Sequence, residues 1–408
     1  MIDDPLALVE LLHASPTRLV YEFAGAGVSA LAALHAVGGS SRTVLEATDR
    51  YAARSLEEGV GSPVAKVVAA DVAAALAERA RVRARHLAGP DESVAGIGLT
   101  ATIATDRAKR GEHRVWAAAA DGLGTRLAGV TLRKGARDRA AEERLVGRLA
   151  LQAMAEAKGV LRTLSLGLLE DERLQTELRP GAELTAFATG ARPMLAIDAL
   201  GRCVDALPWA AAGAGATPVD ATGAARTGAT GGAVVSGAFF PLHDGHLGMA
   251  AAAQRFLGRP VAFELAVANA DKPTITLAEA HRRAAQFAGR APLLLTRAAL
   301  FEQKAALLPD TVFVLGADTA ARVMEARFYP DRGGFDASMD ALRATGGRFL
   351  VVGRRTDRGF VTLADLPVPA RHADLFEALP ASAFRADVSS SEIRSAWGRS
   401  STADVLPP

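Results

Sequence analysis

The chain has 408 residues, half of them hydrophobic and 23% charged, with a formal net charge of +2 at neutral pH. That length predicts two domains with cores of their own, and the composition excludes a disordered chain. Near-balanced charge without a dense Lys/Arg block argues against nucleic acid and membrane surfaces as partners, and a single cysteine, Cys203, excludes an intrachain disulfide or a cysteine metal cage.

The opening stretch "MIDDPLALVELLHAS" is acidic where a signal peptide would be basic, and it reads as an amphipathic helix. No apolar run approaches the roughly 18 residues of a membrane span, so a cytoplasmic protein is expected. From residue 5 to about 165 helical and strand-like patterns alternate: "LALVELLHA", "RLVYEFAG", "GVSALAALHAV", "PVAKVVAADVAAALAERARVRA" and "HRVWAAA". The alternation predicts an α/β domain over 1–170. Within it "GAGVSA" (25–30) matches GxGxxA after a strand, with Glu46 downstream in the place of a ribose-binding acid; a lone match of this kind is a weak signal. His113 and Trp116 read as strand packing and "RARVRARH" (79–86) as a solvated helix face.

Residues 171–209 read as a small β-rich extension, with "AELTAFATG" and "PMLAIDALGRCVDALPW" as short strands around turns. Residues 210–232 are almost entirely small and lack any period, which reads as a flexible linker. From 233 to 408 the alternation is cleaner. "AVVSG", a helix from Asp244, "VAFELAV", a helix near 277–288, "PLLLT", "TVFVLGAD", a helix near 319–327 and "RFLVVGR" predict a doubly wound, Rossmann-like parallel sheet with helices on both faces.

The first strand-to-helix turn of that sheet is "SGAFFPLHDGHLGMA" (236–250). Ligands of open parallel sheets lie beyond the carboxyl ends of the strands. Gly237 lets the chain leave the strand closely, Pro241 stiffens it, and Gly245 leaves room for a phosphate against the backbone. His243 and His246, three apart at a helix N-terminus, place two imidazoles beside unpaired N–H groups. A phosphate site, a metal site and a pair of structural histidines are the three readings; no HExxH or comparable third ligand is nearby to favour metal. Near the C-terminus "VSSSEIRSAW" (388–397) sets three hydroxyls at the mouth of a short helix, with Ser389 or Ser390 as its cap and Arg394 following, a second anion-binding helix start.

Together these residues resemble the nucleotidyltransferase superfamily, with its G-[ST]-F-[ND]-P-x-H-x-G-H turn and I-S-S-T-x-x-R helix start. They are most similar to the nicotinate and nicotinamide mononucleotide adenylyltransferases, since "GADT" (316–319) resembles a G-A-D segment of that family. The resemblance implies AMP transfer from ATP, with Mg²⁺, to a phosphorylated acceptor. His243 and His246 would hold the α- and β-phosphates, while Arg394 with Ser390 and Ser391 would grip the β- and γ-phosphates and Ser389 would also line the ATP site. Gly237, Ala238, Phe239 and Gly245 would line the turn. Asp318, with Gly316 and Thr319, would lie by the acceptor, and Lys272 of "NADKP" (269–273) would stand in a substrate loop. The pattern departs at Phe240, where the family has Asp or Asn, at Ala238, where it has Ser or Thr, and at a missing Trp, whose stacking role Phe328 or Tyr329 would take. A non-catalytic nucleotide-binding or regulatory protein, a different acceptor, and CTP as donor are the alternatives.

The stretch from Leu19 to Gly61 resembles the C-terminal domain of CinA-type proteins, which deamidate nicotinamide mononucleotide. It shares Glu22, the Gly-rich turn, Gly39-Ser40-Ser41 and Tyr51. The family's Ser nucleophile falls at Phe23, its Thr at Gly25 and its Lys at Leu56, so the resemblance implies a domain without deamidase activity that serves in docking, binding or homo-oligomerisation.

Overall fold

Strand-forming runs rich in Val, Leu and Ala segregate into two main sheets, one for each half of the chain. The computed structural model describes residues 1–106, 110–207, 231–268, 274–329, 333–356, 359–385 and 390–399. The first half is built in the order α1 (Pro5–Ala14), β1 (Arg18–Ala24), α2 (Val28–Ala36), β2 (Val44–Asp49), α3 (Ala53–Val60), α4 (Ala70–Leu87), β3 (Val94–Thr102), β4 (His113–Ala120), β5 (Gly124–Leu132), α5 (Arg139–Ala157) and β6 (Gln175–Pro180). Its sheet runs β2-β1-β3-β4-β5-β6, parallel over the first three strands and antiparallel beyond. Leu19, Tyr21, Phe23, Ile97 and Leu99 alternate onto the face covered by α1, α2 and α5, as the two-residue period of a strand requires. On the other face α4 lies so close that a Cβ at Gly96 or Gly98 would come 2.0 or 2.2 Å from a helix carbonyl oxygen. Only glycine fits there.

The second half continues through α6 (Ala182–Ala188), β7 (Met194–Ile197), β8 (Cys203–Val204), β9 (Ala233–Ser236), α7 (Asp244–Leu257), β10 (Val261–Ala266), α8 (Leu277–Ala284), β11 (Leu293–Thr296), α9 (Phe301–Leu307), β12 (Val312–Gly316), α10 (Ala317–Val323), α11 (Gly334–Ala344), β13 (Arg348–Val352), the hairpin β14 (Arg354–Thr356) and β15 (Gly359–Val361), β16 (Phe376–Leu379) and α12 (Ser390–Arg399). Its sheet runs β16-β13-β12-β9-β10-β11-β7-β8. The six strands from β9 onward in that sheet are parallel, and the strand order reverses between β9 and β12, the topological switch point at which such sheets bind ligands. The chain is α/β with parallel-rich sheets, as its alternating patterns predict. The linker expected over 210–232 falls for the most part outside the described residues.

The expected strand at "AELTAFATG" is instead the helix α6. Leu184 and Phe187, three apart, are both buried in the second core, and a three-residue spacing of that kind is a helix stripe. β6 completes the first sheet, whereas β7 and β8 extend the second as its antiparallel edge. The β4–β5 turn of the first sheet inserts Leu123 into the core of the second. Beside it the Asp121 carboxylate meets His281 of α8, which has no exposed surface, at 3.0 Å. Among the described residues no helix is long and apolar enough to cross a membrane.

Candidate functional site

β9 ends at Ser236, and the Gly237 N–H still follows the sheet, donating to Glu264 O at 3.0 Å. The chain then turns sharply. Phe239 takes a φ of 47°, a region that bulky side chains rarely enter, and the Phe240–Pro241 peptide is cis. What holds Phe239 there is packing: its ring is buried and meets Phe263, Phe287 and His246 edge-on at 5.1 to 5.3 Å. The turn delivers His243 as the N-cap of α7, with Gly245 and His246 in the helix's first turn.

The two imidazoles stack at 3.8 Å between centroids, and the His243 N–H donates to His246 Nδ1 at 3.3 Å. That bond fixes the proton of neutral His246 on Nε2, which leaves it a donor. Burial, the charge of His243 and that of Arg354 push the His246 pKa down to about 3. Burial and Arg354 also lower that of His243. Both rings are therefore neutral near pH 7. Both ring nitrogens of His243, and Oγ of Ser236, are buried without a hydrogen-bond partner among the described residues. Orphaned polar atoms grouped at one turn are what a polar ligand would satisfy.

The late motif arrives at the same turn. Ser390 Oγ donates to Pro241 O at 3.1 Å, and Arg394 Nη1 donates to Phe240 O at 2.5 Å. Segments 149 to 154 residues apart in sequence thus form one site. Phe240, the departure from the expected acid or amide, has two guanidinium groups at its ring: Arg394 at 5.7 Å and Arg283 of α8 at 4.9 Å from the ring centroid. Arg283 also donates to Ala238 O at 3.2 Å. Cation–π contact gives Phe240 a place that a carboxylate would fill by ion pairing.

Val235 pairs with Val314, so Gly237 and Gly316 leave neighbouring strands at the same end of the sheet. Beyond Gly316, Asp318 and Thr319 lie in the first turn of α10, and Asp318 Oδ1 is 3.6 Å from Arg354 Nε. Arg354 thereby links the Asp318 corner electrostatically to the histidines. Lys272 and Ser389 lie outside the described residues, as does the side chain of Ser391. The stacking role expected of Tyr329 does not hold: its ring is 3% exposed and its hydroxyl donates to Val323 O at 2.6 Å. Arg283, Arg354 and Gln286 escape the sequence reading because each comes from a separate element without a motif of its own. Among the described residues no group of three His, Cys, Asp or Glu could hold a metal ion.

In the first domain the Gly-rich turn after β1 has a different occupant. The Glu143 carboxylate of α5 accepts the Gly27 N–H at 2.9 and 3.1 Å and the Ser29 N–H at 3.0 Å, covering the N-terminus of α2 from within. Glu46, the candidate ribose ligand, pairs with Arg83 at 2.7 Å, and Glu22 pairs with Arg50 at 2.8 Å. Phe23 and Leu56 are core residues, and Tyr51 is 71% exposed. His113 is more than packing, since its Nδ1 meets the buried Glu142 carboxylate at 2.8 Å.

No protein-family model matches the chain, and no curated protein sequence does. Among solved structures it is similar to the competence/damage inducible protein CihA from Agrobacterium tumefaciens, at 18% identity over 37% of this chain and 94% of that one, with a TM-score of 0.30. It is also similar to a competence-damaged protein (CinA) superfamily protein from Escherichia coli, at 19% identity over 37% of this chain and 86% of that one, with a TM-score of 0.29.

Proposed function

We propose that the second domain transfers a nucleotidyl group from ATP to a phosphorylated small molecule, with a pyridine mononucleotide as the acceptor. The observation that carries this reading is the meeting of His243, His246, Ser390 and Arg394 at the switch point of a doubly wound sheet. Neutral imidazoles at a helix N-terminus donate hydrogen bonds to phosphate oxygens, and guanidinium groups neutralise the pyrophosphate that forms. In the step itself an acceptor phosphate oxygen attacks the α-phosphorus of ATP. The α–β bridging P–O bond breaks, and its electron pair leaves on pyrophosphate. A phosphate monoester dianion needs no base to deprotonate it, so the residues bind, orient and neutralise. Mg²⁺ enters on the triphosphate as part of the substrate.

On this reading the first domain does not deamidate mononucleotides, because Phe23 and Leu56 offer neither nucleophile nor base. Incubation with ATP or CTP, Mg²⁺ and a panel of phosphate monoesters, nicotinamide and nicotinate mononucleotides among them, tests the proposal by acceptor-dependent pyrophosphate release. A second reading, a regulatory nucleotide-binding protein, draws on the Arg394 guanidinium's bond to Phe240 O in the turn after β9. It predicts ATP binding without pyrophosphate release for any acceptor.

A further inference from the structure

The amide of Gln286, just after α8, spans both sides of the phosphate turn. Its Nε2 donates to Phe239 O at 2.8 Å and to Arg283 O at 3.1 Å, while its Oε1 accepts the Leu242 N–H at 2.8 Å. Gln286 is 6% exposed, so water cannot replace these bonds readily. They hold the backbone on either side of Phe240 and Pro241, beside the positive φ of Phe239. Strained backbone of this kind persists where its surroundings over-determine it.

The first domain supports the elements that grip this turn. Gly159, just past α5, has a φ of +67°, and a Cβ there would come 2.5 Å from Gln286 Cα. Leu161 O accepts Arg282 Nη2 at 2.9 Å, and Asp121 pairs with His281, both on α8. The Arg162 guanidinium sits 5.5 Å over the ring of Trp397 in α12, the helix that carries Arg394.

We propose that the first domain acts in cis as a brace for the phosphate turn, with Gln286 as the positioning residue that carries its support. The functional consequence rests on the nucleotidyl-transfer reading; the geometric one does not. In the full-length protein, Gln286→Ala is expected to speed hydrogen exchange of the Leu242 amide by about tenfold or more, as loss of a buried bond implies. It should also lower kcat by about tenfold, with a smaller change in the KM for ATP. Gln286→Glu keeps an acceptor for Leu242 but removes both donated bonds and sets a carboxylate against Phe239 O and Arg283 O, so it should retain part of the Leu242 protection while kcat stays near that of Gln286→Ala. Gly159→Val and Arg162→Ala, both in the first domain, should speed the same Leu242 exchange. Because Gly159→Val strains a left-handed position and can prevent folding, Arg162→Ala and Gln286→Glu, which leave the backbone untouched, run in parallel.

A merely structural role would lower Tm without moving Leu242 exchange or kcat. Leu242 exchange within twofold of wild type in Gln286→Ala, or in both Arg162→Ala and a folded Gly159→Val, would overturn the brace. Wild-type protein that releases no pyrophosphate would instead refute the catalytic reading, with the exchange arm still decisive for the brace.

Discussion

The carboxylate of Glu143 occupies the N–H donors of the first domain's Gly-rich turn, the one that matches a dinucleotide fingerprint. Two backbone N–H groups that would otherwise meet a phosphate donate to it through three contacts of 2.9 to 3.1 Å. Hydrogen bonds to a charged acceptor are worth about 1.5–3 kcal/mol each when broken. In Glu143→Ala water regains part of the turn, so the expected local loss is about 2 kcal/mol, which is roughly a thirtyfold rise in exchange at Gly27 and Ser29. Glu143→Gln, which keeps one oxygen acceptor without the charge, should fall between. Hydrogen exchange with mass spectrometry on a peptide covering residues 25–30 reads both variants in the full chain. A second arm follows from the vacated donors: inorganic phosphate should slow exchange of that peptide in Glu143→Ala and leave wild type unchanged. Exchange within twofold of wild type in Glu143→Ala would show that the carboxylate does not satisfy the turn.

Arg394→Lys should raise the ATP KM and lower kcat while the acceptor KM moves little, because a point charge replaces a planar fork on the leaving phosphates; steady-state kinetics with each substrate varied in turn checks this. Lys304→Met should cost about 3–5 kcal/mol in urea denaturation by removing the cation 2.8 Å from the fully buried Glu264 carboxylate, and Glu264→Leu with Lys304→Met should recover only part of it, because the buried Thr296 hydroxyl then loses its acceptor. At Asp121 burial raises the carboxyl pKa, but His281, Arg126 and the Leu123 N–H outweigh it and bring it down to about 2. A depressed folded-state value means stability that is present above the unfolded pKa near 3.8 and lost as pH falls toward 2. About 2 kcal/mol should disappear over that window, and the loss should be absent in Asp121→Asn, as read by acid-induced release of exchange protection in residues 277–287.

Much of the second sheet is legible in the sequence because its strands are short apolar runs ended by Gly, Thr or Asp, the signature of strands buried on both faces. "FEAL" at β16 escapes because two of its four residues, Glu377 and Ala378, carry no apolar bulk that sets it apart from the 3-10 turn before it. "AELTAFATG" misleads because Thr and Phe at alternating positions imitate a strand, whereas the three-residue step from Leu184 to Phe187 decides the packing. The two motifs that meet at the turn after β9 are visible as motifs. The arginines that complete the site are not: Arg283 carries no motif, and only the fold brings its contacts to Ala238 and Phe240. The brace is invisible for the same reason, since Gly159 and Gln286 meet only when two sheets dock.

Nucleotidyl transfer at the paired histidines is tested most directly by acceptor-dependent pyrophosphate release from wild type and His246→Ala, measured side by side with ATP, Mg²⁺ and nicotinamide or nicotinate mononucleotide. On the proposed nucleotidyl-transfer reading the Nε2–H of His246 meets charge that grows in the transition state, and losing such a donor costs on the order of 10²–10³ in kcat. Wild type is expected to release pyrophosphate, with a fall of that size in a variant whose melting curve shows it folded. Equal turnover in the two proteins, or no release from wild type with any acceptor, would contradict this expectation.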